Sequence, residues 1–217
     1  RDRETARVSC WLSETKHLIL STVRAHDAVS AITHLRHLGV SADTIAANLH
    51  LVIGQRLVRT LCPSCKQEYP STPEELRSLG IHEEDSPIAT SYKKVGCPEC
   101  QQRGYGGLIV LYEMLEVNDS IRENIRKQTP GYLFKQIARK AGMATMLEDG
   151  VEKIRHGLTT IEEVTRACCP ICPGCGKSVA ETEQTCPFCG YLLREKCQKC
   201  GANLSPEWRV CPFCAHQ

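Results

Sequence analysis

At 217 residues and a formal charge of +2, the chain can bury a medium-sized core plus a small appendage, and it has no charge surplus drawing it to nucleic acid or an anionic membrane. No apolar run is long enough to span a bilayer, and no export-signal pattern opens the sequence. The first residue is Arg1 rather than Met, as expected of a fragment or of a mature product missing an upstream part.

Residues 1–61 read as alternating helix and strand. The segment Glu4 to Ser13 is helix-compatible, and the short apolar run His17-Leu18-Ile19-Leu20-Ser21 predicts a buried strand. Asp27 can cap a helix with the apolar stripe Val29, Ile32, Leu35 and Leu38, closed by Gly39. Ser41 starts another helix, and Leu51 to Val58 returns to strand character. Helices alternating with strands predict the edge of a parallel α/β sheet.

Residues 62–117 carry two Cys-Pro-x-Cys pairs around a helix that opens on the capping box Thr72-Pro73-Glu74-Glu75 and stops at Gly80. A turn-rich stretch with Gly104, Gly106 and Gly107 leads into a strand over Leu108 to Val117. Residues 118–167 read as helical. Ser120 with Glu123 and Thr160 with Glu163 each fit a capping box, and Gly157 separates the last two helices.

Residues 168–217 are a repeat. Cys172, Cys175, Cys186 and Cys189 recur 25 residues later as Cys197, Cys200, Cys211 and Cys214, with Cys-Pro-Phe-Cys at both 186–189 and 211–214. A unit this short cannot bury a core of its own, so another source of stability is required. Of fifteen cysteines, twelve fall into six Cys-x-x-Cys pairs. Regular short pairs without an export signal favour metal in a reducing compartment over a disulfide framework.

Zinc suits four thiolates held tetrahedrally, and each Cys-x-x-Cys turn presents two sulfurs to one ion. The tail therefore predicts two ribbons, each Cys-x2-Cys-x10-Cys-x2-Cys. Cys62, Cys65, Cys97 and Cys100 form a third set, with 31 residues between its pairs. Three closed, structural zinc sites follow, since four protein ligands leave no open position. Cys10 reads as a small buried hydrophobe. Cys168 and Cys169 crowd the first ribbon, and Cys169-Pro-Ile-Cys172 leaves a ligand swap open.

Several motifs carry a family likeness. Arg1-Asp2-Arg3-Glu4-Thr5-Ala6 resembles the segment after the Walker B glutamate in ATPases that power type II secretion and type IV pilus assembly. His17 to Ala28 resembles the family's strand GHLVLSTLHTNDA, and Gln55 to Pro63 its AQRLVRRLCP. Cys97-Pro98-Glu99-Cys100, Gly104-Tyr105-Gly106 and Tyr112-Glu113 match its second cysteine pair and following strand. Gly142-Met143, Glu148-Asp149-Gly150 and Thr159 to Val164 resemble its C-terminal helices.

The resemblance implies a cytoplasmic, hexameric, RecA-like motor that turns ATP hydrolysis into movement of an inner-membrane platform protein. The fold expected is thus an α/β RecA-like half domain (1–61), a tetracysteine zinc subdomain (62–117), a helical C-terminal subdomain (118–167) and two tandem zinc ribbons (168–217). ATP and Mg2+ belong to the full-length parent, because no G-x-x-x-x-G-K-[ST] occurs here. The Walker B acid would lie just upstream of Arg1, so the chain alone is expected to be inactive.

What the resemblance leaves of the nucleotide site is its edge. His17 and Arg24 are remnant catalytic candidates, and Thr22, Gln55 and Arg56 are nucleotide-binding candidates. Arg24 falls where the family has a histidine, and Lys16 where it has a glycine. A neutral imidazole can orient water or sense a γ-phosphate, whereas a guanidinium only attracts charge.

Three functions compete: a motor with zinc ribbons added for docking, a non-hydrolysing zinc-ribbon adaptor on a degenerate motor half, and nucleic-acid binding through the ribbons. From Cys172 onward five Lys/Arg face four Glu, too small a surplus for phosphate attraction, so nucleic acid ranks last. Phe188, Tyr191, Trp208 and Phe213 are expected to cover the metal knuckles or meet a protein partner. The motifs do not separate secretion, pilus and transformation machines.

Overall fold

A computed structural model describes residues 2–15, 17–81, 88, 90–170, 172, 174–175, 179, 183–193, 195–197 and 203–204. The chain forms two compact units that interleave in sequence: residues 1–54 with 112–145, and 55–111 with 146–217. Among the described residues no helix is long and apolar enough to cross a membrane.

The first unit holds α1 (Arg3–Glu14), α2 (Ala28–His37), α3 (Ala42–Asn48), α5 (Asp119–Arg126) and α6 (Gly131–Lys140). The remaining helix of the first two-thirds of the chain, α4 (Pro73–Ser78), belongs to the second unit with α7 (Met146–Arg155) and α8 (Ile161–Cys168). Asp2, Asp27 and Ser41 each accept a hydrogen bond from a backbone N–H of the first turn of α1, α2 and α3. Gly39 ends α2 at φ 84°, in the left-handed region where a Cβ would be strained. Val29 and Ile32 of the predicted stripe are buried, with Leu35 and Leu38 packed at the margin of the same core. Ile45, Leu115, Ile121, Ile125 and Phe134 complete its centre. Cys10 is only half-buried, packed against this core, and burial together with Glu14 raises its thiol pKa. Arg122 donates to the carbonyls of Ala46 and Ala47, placing a cation at the C-terminal end of α3.

Two long strands, β1 (Leu51–Leu61) and β4 (Tyr105–Glu116), form a two-stranded sheet. At its ends Cys62 N–H donates to Gly104 O at 3.0 Å and Val117 N–H to His50 O at 2.9 Å, so the strands run in opposite directions. β2 (Gln67–Pro70) and β3 (Thr90–Lys93) pair antiparallel, Gln67 opposite Lys93, and so do β5 (Glu195–Lys196) and β6 (Asn203–Leu204). The expected parallel edge is therefore not formed by the described strands. Nor is the expected strand at 17–21: residues 17–25 adopt neither helix nor strand, and Leu18 and Leu20 stand 87% and 88% exposed. A strand is stable only with a neighbour to satisfy its N–H and C=O groups, and no described strand pairs with this segment.

The core of the second unit is built on Val58, Leu79, Ile88, Leu111, Ile154 and Val164. Thr72 and Glu75 form the reciprocal capping box of α4, with Pro73 in its first turn. Two other caps differ from expectation. Asn118, not Ser120, caps α5, accepting from Ile121 N–H at 3.0 Å; an earlier start turns both Ile121 and Ile125 into the core. Thr160 does cap α8, but Glu163 does not reach back, because its carboxylate is held by two arginines.

Gly150 lies where α7 and α8 touch. A Cβ there would sit 2.5 Å from Val164 Cγ1, a stiff, fully buried β-branched side chain. In an exposed helix alanine is favoured over glycine by about 1 kcal/mol. Here the contact reverses that sign: Gly150→Ala is expected to destabilise by about 1–3 kcal/mol in denaturant titration.

Candidate metal centres and a buried carboxylate

Each strand end delivers one cysteine pair. Cys62 and Cys65 occupy the turn after β1, and Cys97 and Cys100 the turn before β4, with Cys65 N–H bonded to Cys62 O and Gln102 N–H to Cys97 O. Gln101 and Gln102 take φ of 54° and 63° and Gly104 74°, so the second turn is tightly wound. A Cβ on Gly104 would fall 2.6 Å from Lys94 Cβ, which requires glycine there.

The four sulfurs converge. Cys62 with Cys97, Cys65 with Cys100, and Cys97 with Cys100 each lie 3.8 Å apart, and all four fall within 4.8 Å of one another. A disulfide requires about 2.05 Å. A tetrahedron with Zn–S bonds of about 2.3 Å has edges of about 3.8 Å. The donor set thus fits a four-thiolate ion and leaves no coordination position open.

Backbone N–H groups surround the sulfurs as expected for thiolates: Gly96 to Cys65 at 3.3 Å, and Cys97 and Gly104 to Cys100 at 3.2 and 3.1 Å. Burial opposes ionisation of Cys100, but these N–H donors outweigh it and bring its thiol down to about 6. Burial and the neighbouring sulfurs raise Cys65 to about 11 against the Gly96 N–H. A cation at the centre removes this mutual repulsion.

The second centre repeats the geometry. Cys172 lies 3.7 Å from Cys189 and Cys175 3.6 Å from Cys186, sulfur to sulfur. Cys172 and Cys186 are buried beside Val179, with Phe188 and Leu193 packed against them. Gly190 N–H donates to Cys186 O, Cys186 N–H to Tyr191 O and Leu193 N–H to Gln184 O, folding the hairpin around the metal turn. The converging sulfurs are those of Cys172, Cys175, Cys186 and Cys189, the set of the 25-residue register, and neither Cys168 nor Cys169 is among them. Tyr191 is exposed and Phe188 half-buried, while Trp208 and Phe213 lie outside the described residues. So do Cys200, Cys211 and Cys214; of the second ribbon's expected ligands the described residues include only Cys197, which is buried.

The nucleotide candidates are distributed over both units. In the first, His17, Thr22 and Arg24 are exposed on the segment after α1, with His17 Nδ1 2.9 Å from Thr15 Oγ1. Lys16 lies outside the described residues. In the second, Gln55 is exposed and Arg56 half-buried on β1, where Arg56 donates to the Gln55 carbonyl at 3.1 Å.

Two features escape sequence reading. In the first unit, buried Glu113 accepts the Ala28 N–H at 2.8 Å, adding a carboxylate to the N-terminus of α2. Beside it, burial disfavours a charged Asp27, but the Ser30 N–H and Lys135 (3.3 Å) outweigh this and lower its pKa. In the second unit, fully buried Glu163 accepts from Arg59 N–H at 2.8 Å, Arg59 Nη2 at 2.7 Å, Arg166 Nη2 at 2.9 Å and Arg166 Nε at 3.3 Å. Desolvation opposes its ionisation, yet the two guanidiniums hold its carboxyl down to about 2. A Glu at the third position after Thr160 carries the same letters as a capping box, so only its partners in space reveal this role.

Residues 1–166 match the family model described as type II/IV secretion system protein, and residues 172–215 match that of a double zinc ribbon. The type IV pilus assembly ATPase PilB of Thermus thermophilus is 43% identical over 164 residues, 76% of this chain and 18% of that protein. The type II secretion system ATPase E of Vibrio cholerae is 38% identical over 166 residues, 76% of this chain and 32% of that protein. The PilB of Myxococcus xanthus is 35% identical over 165 residues, 29% of its length. The chain therefore spans a third or less of these relatives.

Proposed function

Since this chain belongs to the type II/IV secretion system protein family, we propose that it is the C-terminal portion of an ATP-driven motor for type II secretion or type IV pilus assembly. The observation that carries this reading is the 38–43% identity to two such ATPases over 164 and 166 residues, 76% of this chain. In that reading the unit is RecA-like, assembles as a hexamer and works against an inner-membrane platform protein. His17 and Thr22 in the first unit, and Gln55 and Arg56 in the second, are each read as nucleotide contacts of the motor, and the G-x-x-x-x-G-K-[ST] loop that cradles phosphates does not occur in this sequence. Cys62, Cys65, Cys97 and Cys100 hold one structural zinc, and two more occupy the double ribbon.

A second reading is favoured by two observations: a guanidinium at Arg24 where the family resemblance places an imidazole, and a double ribbon beyond the stretch shared with the ATPases. It makes the chain a zinc-ribbon adaptor on a motor scaffold that no longer hydrolyses ATP.

A chimera separates the two. In the Vibrio cholerae ATPase the segment that matches residues 1–166 is replaced by residues 1–166 of this chain, and ATP turnover is measured. The motor reading expects turnover retained, with Arg24→His raising it; a folded, zinc-loaded chimera with no turnover in either form supports the adaptor. The isolated chain is expected to show none.

A further inference from the structure

Glu163 is saturated. A carboxylate offers about four acceptor sites, and all four are taken by the Arg59 backbone and the two guanidiniums. Its negative charge is fully buried, while Arg59 and Arg166 remain 45% and 58% exposed at their side chains. Arg59 uses one Nη2 donor on Glu163 and lies over Tyr105, its Cζ 4.2 Å from the ring centroid. Arg166 uses Nε and Nη2 and keeps Nη1. Lys94 Nζ stands 5.5 Å from the same ring, paired at 3.3 Å to exposed Glu162.

The consequence is electrostatic and geometric. Three cations face two carboxylates, one of them inaccessible, so the exposed surface is positive. Both guanidiniums are anchored on one carboxylate and one is stacked, so their remaining N–H groups are oriented before any ligand arrives. Pre-orientation removes much of the side-chain entropy that normally weakens an exposed arginine contact. A tetrahedral oxyanion, with several acceptor oxygens, suits the donors that the two guanidiniums have left over, Arg166 Nη1 among them.

From this geometry we infer that Arg59, Arg166 and Lys94 form a binding site for a small phosphate-type oxyanion, built on the buried Glu163 carboxylate. The site lies within one compact unit and uses none of the tetracysteine ligands and none of the nucleotide candidates, although Arg59 shares β1 with Gln55 and Arg56 and Lys94 lies beside Gly104. Tyr105 is buried and already covered by Arg59, so the recognised chemistry is the oxyanion itself rather than a stacked base.

The test is titration of the zinc-loaded chain with inorganic phosphate at constant ionic strength, with chloride as the reference, followed through the side-chain Nε–H signals of its arginines. Phosphate is expected to shift the Arg59 and Arg166 signals saturably where chloride does not. Arg166→Gln should weaken binding about tenfold or more, and Arg166→Lys by less, because it keeps charge but loses the two-point anchoring on Glu163 that orients the free donor. Lys127→Gln, in the other unit, should change nothing. Should a variant lose its fold, which zinc content and circular dichroism report, the Lys94→Gln variant carries the same comparison with a few-fold weakening expected. Adenosine monophosphate forms the second arm: equal affinity assigns a free ion, and tighter affinity a phosphate carried as an ester. Indistinguishable responses to phosphate and chloride, or unaltered binding by a folded Arg166→Gln, overturn the site.

Discussion

Stripping metal from the reduced chain is expected to unfold the first ribbon completely while leaving the first unit intact. Binding of a structural zinc supplies roughly 10–16 kcal/mol in small modules. Among the ribbon's described residues nothing else approaches that: the buried cluster is Cys172, Val179 and Cys186, two of them members of the converging sulfur set. The first unit instead buries fourteen clustered residues and includes no tetracysteine set. The expected readout is amide exchange. Protection at Cys186, Gly190 and Leu193, whose N–H groups close the hairpin, should vanish, while that of Ile125 and Ala138 persists.

The other tetracysteine centre should respond by degrees. Its turns are tied to the α7–α8 connection, where Leu61 N–H donates to Leu158 O at 2.9 Å and Lys66 Nζ to Gly157 O at 2.7 Å. Tyr105 and Thr160 hydroxyls lie 3.4 Å apart nearby. Metal loss should therefore raise exchange at Leu158 and Thr159 without melting the core on Val58 and Ile154. Zinc content by mass spectrometry is expected to be three per chain, one for each tetracysteine set. Undiminished protection of the ribbon after complete metal removal under reducing conditions overturns the structural role of the ion.

What could be read in the letters follows from how local each signal is. The cysteine turns depend on spacing alone, so all eight cysteines of the two converging sets are visible in the sequence. Caps such as Asp27, Ser41 and Thr72 involve side chains meeting N–H groups two or three residues away, and these were legible too. That residues 17–21 form no strand was not, because an apolar run states a wish for burial but cannot name its partner. The interleaving of the units was hidden for the same reason. Both β1 and β4 carry the chain from one unit to the other, and a division by composition has no way to see two strands crossing. Glu163 was misread because a motif fixed by three-residue spacing competes with partners more than a hundred positions away, and the buried pair with Arg59 is stronger than a second cap bond.

Glu163→Gln is expected to cost about 2–3 kcal/mol at neutral pH, among the largest effects of any single exposed or buried polar change in the second unit. The variant keeps the size and one acceptor oxygen for Arg59 N–H, but leaves two guanidiniums without the charge that orients them. The sign with pH is fixed by the direction of the shift. Glu163 is lowered from 4.5 to about 2, so its contribution is fully present above the unfolded value and is lost as pH falls from about 4.5 through 2. Wild type should therefore lose stability across that window faster than Glu163→Gln, and the two should converge at its acid end. Zinc thiolates also protonate as acid is added, so the measurement is the difference between the two proteins by denaturant titration at each pH, not either curve alone. Glu162→Gln provides the contrast on the same helix. Its pair with Lys94 is 3.3 Å long but 44% and 65% exposed, and solvent screening should hold its effect within about 0.5 kcal/mol. Equal losses for the two variants would mean that burial of Glu163 between Arg59 and Arg166 contributes nothing beyond a surface ion pair.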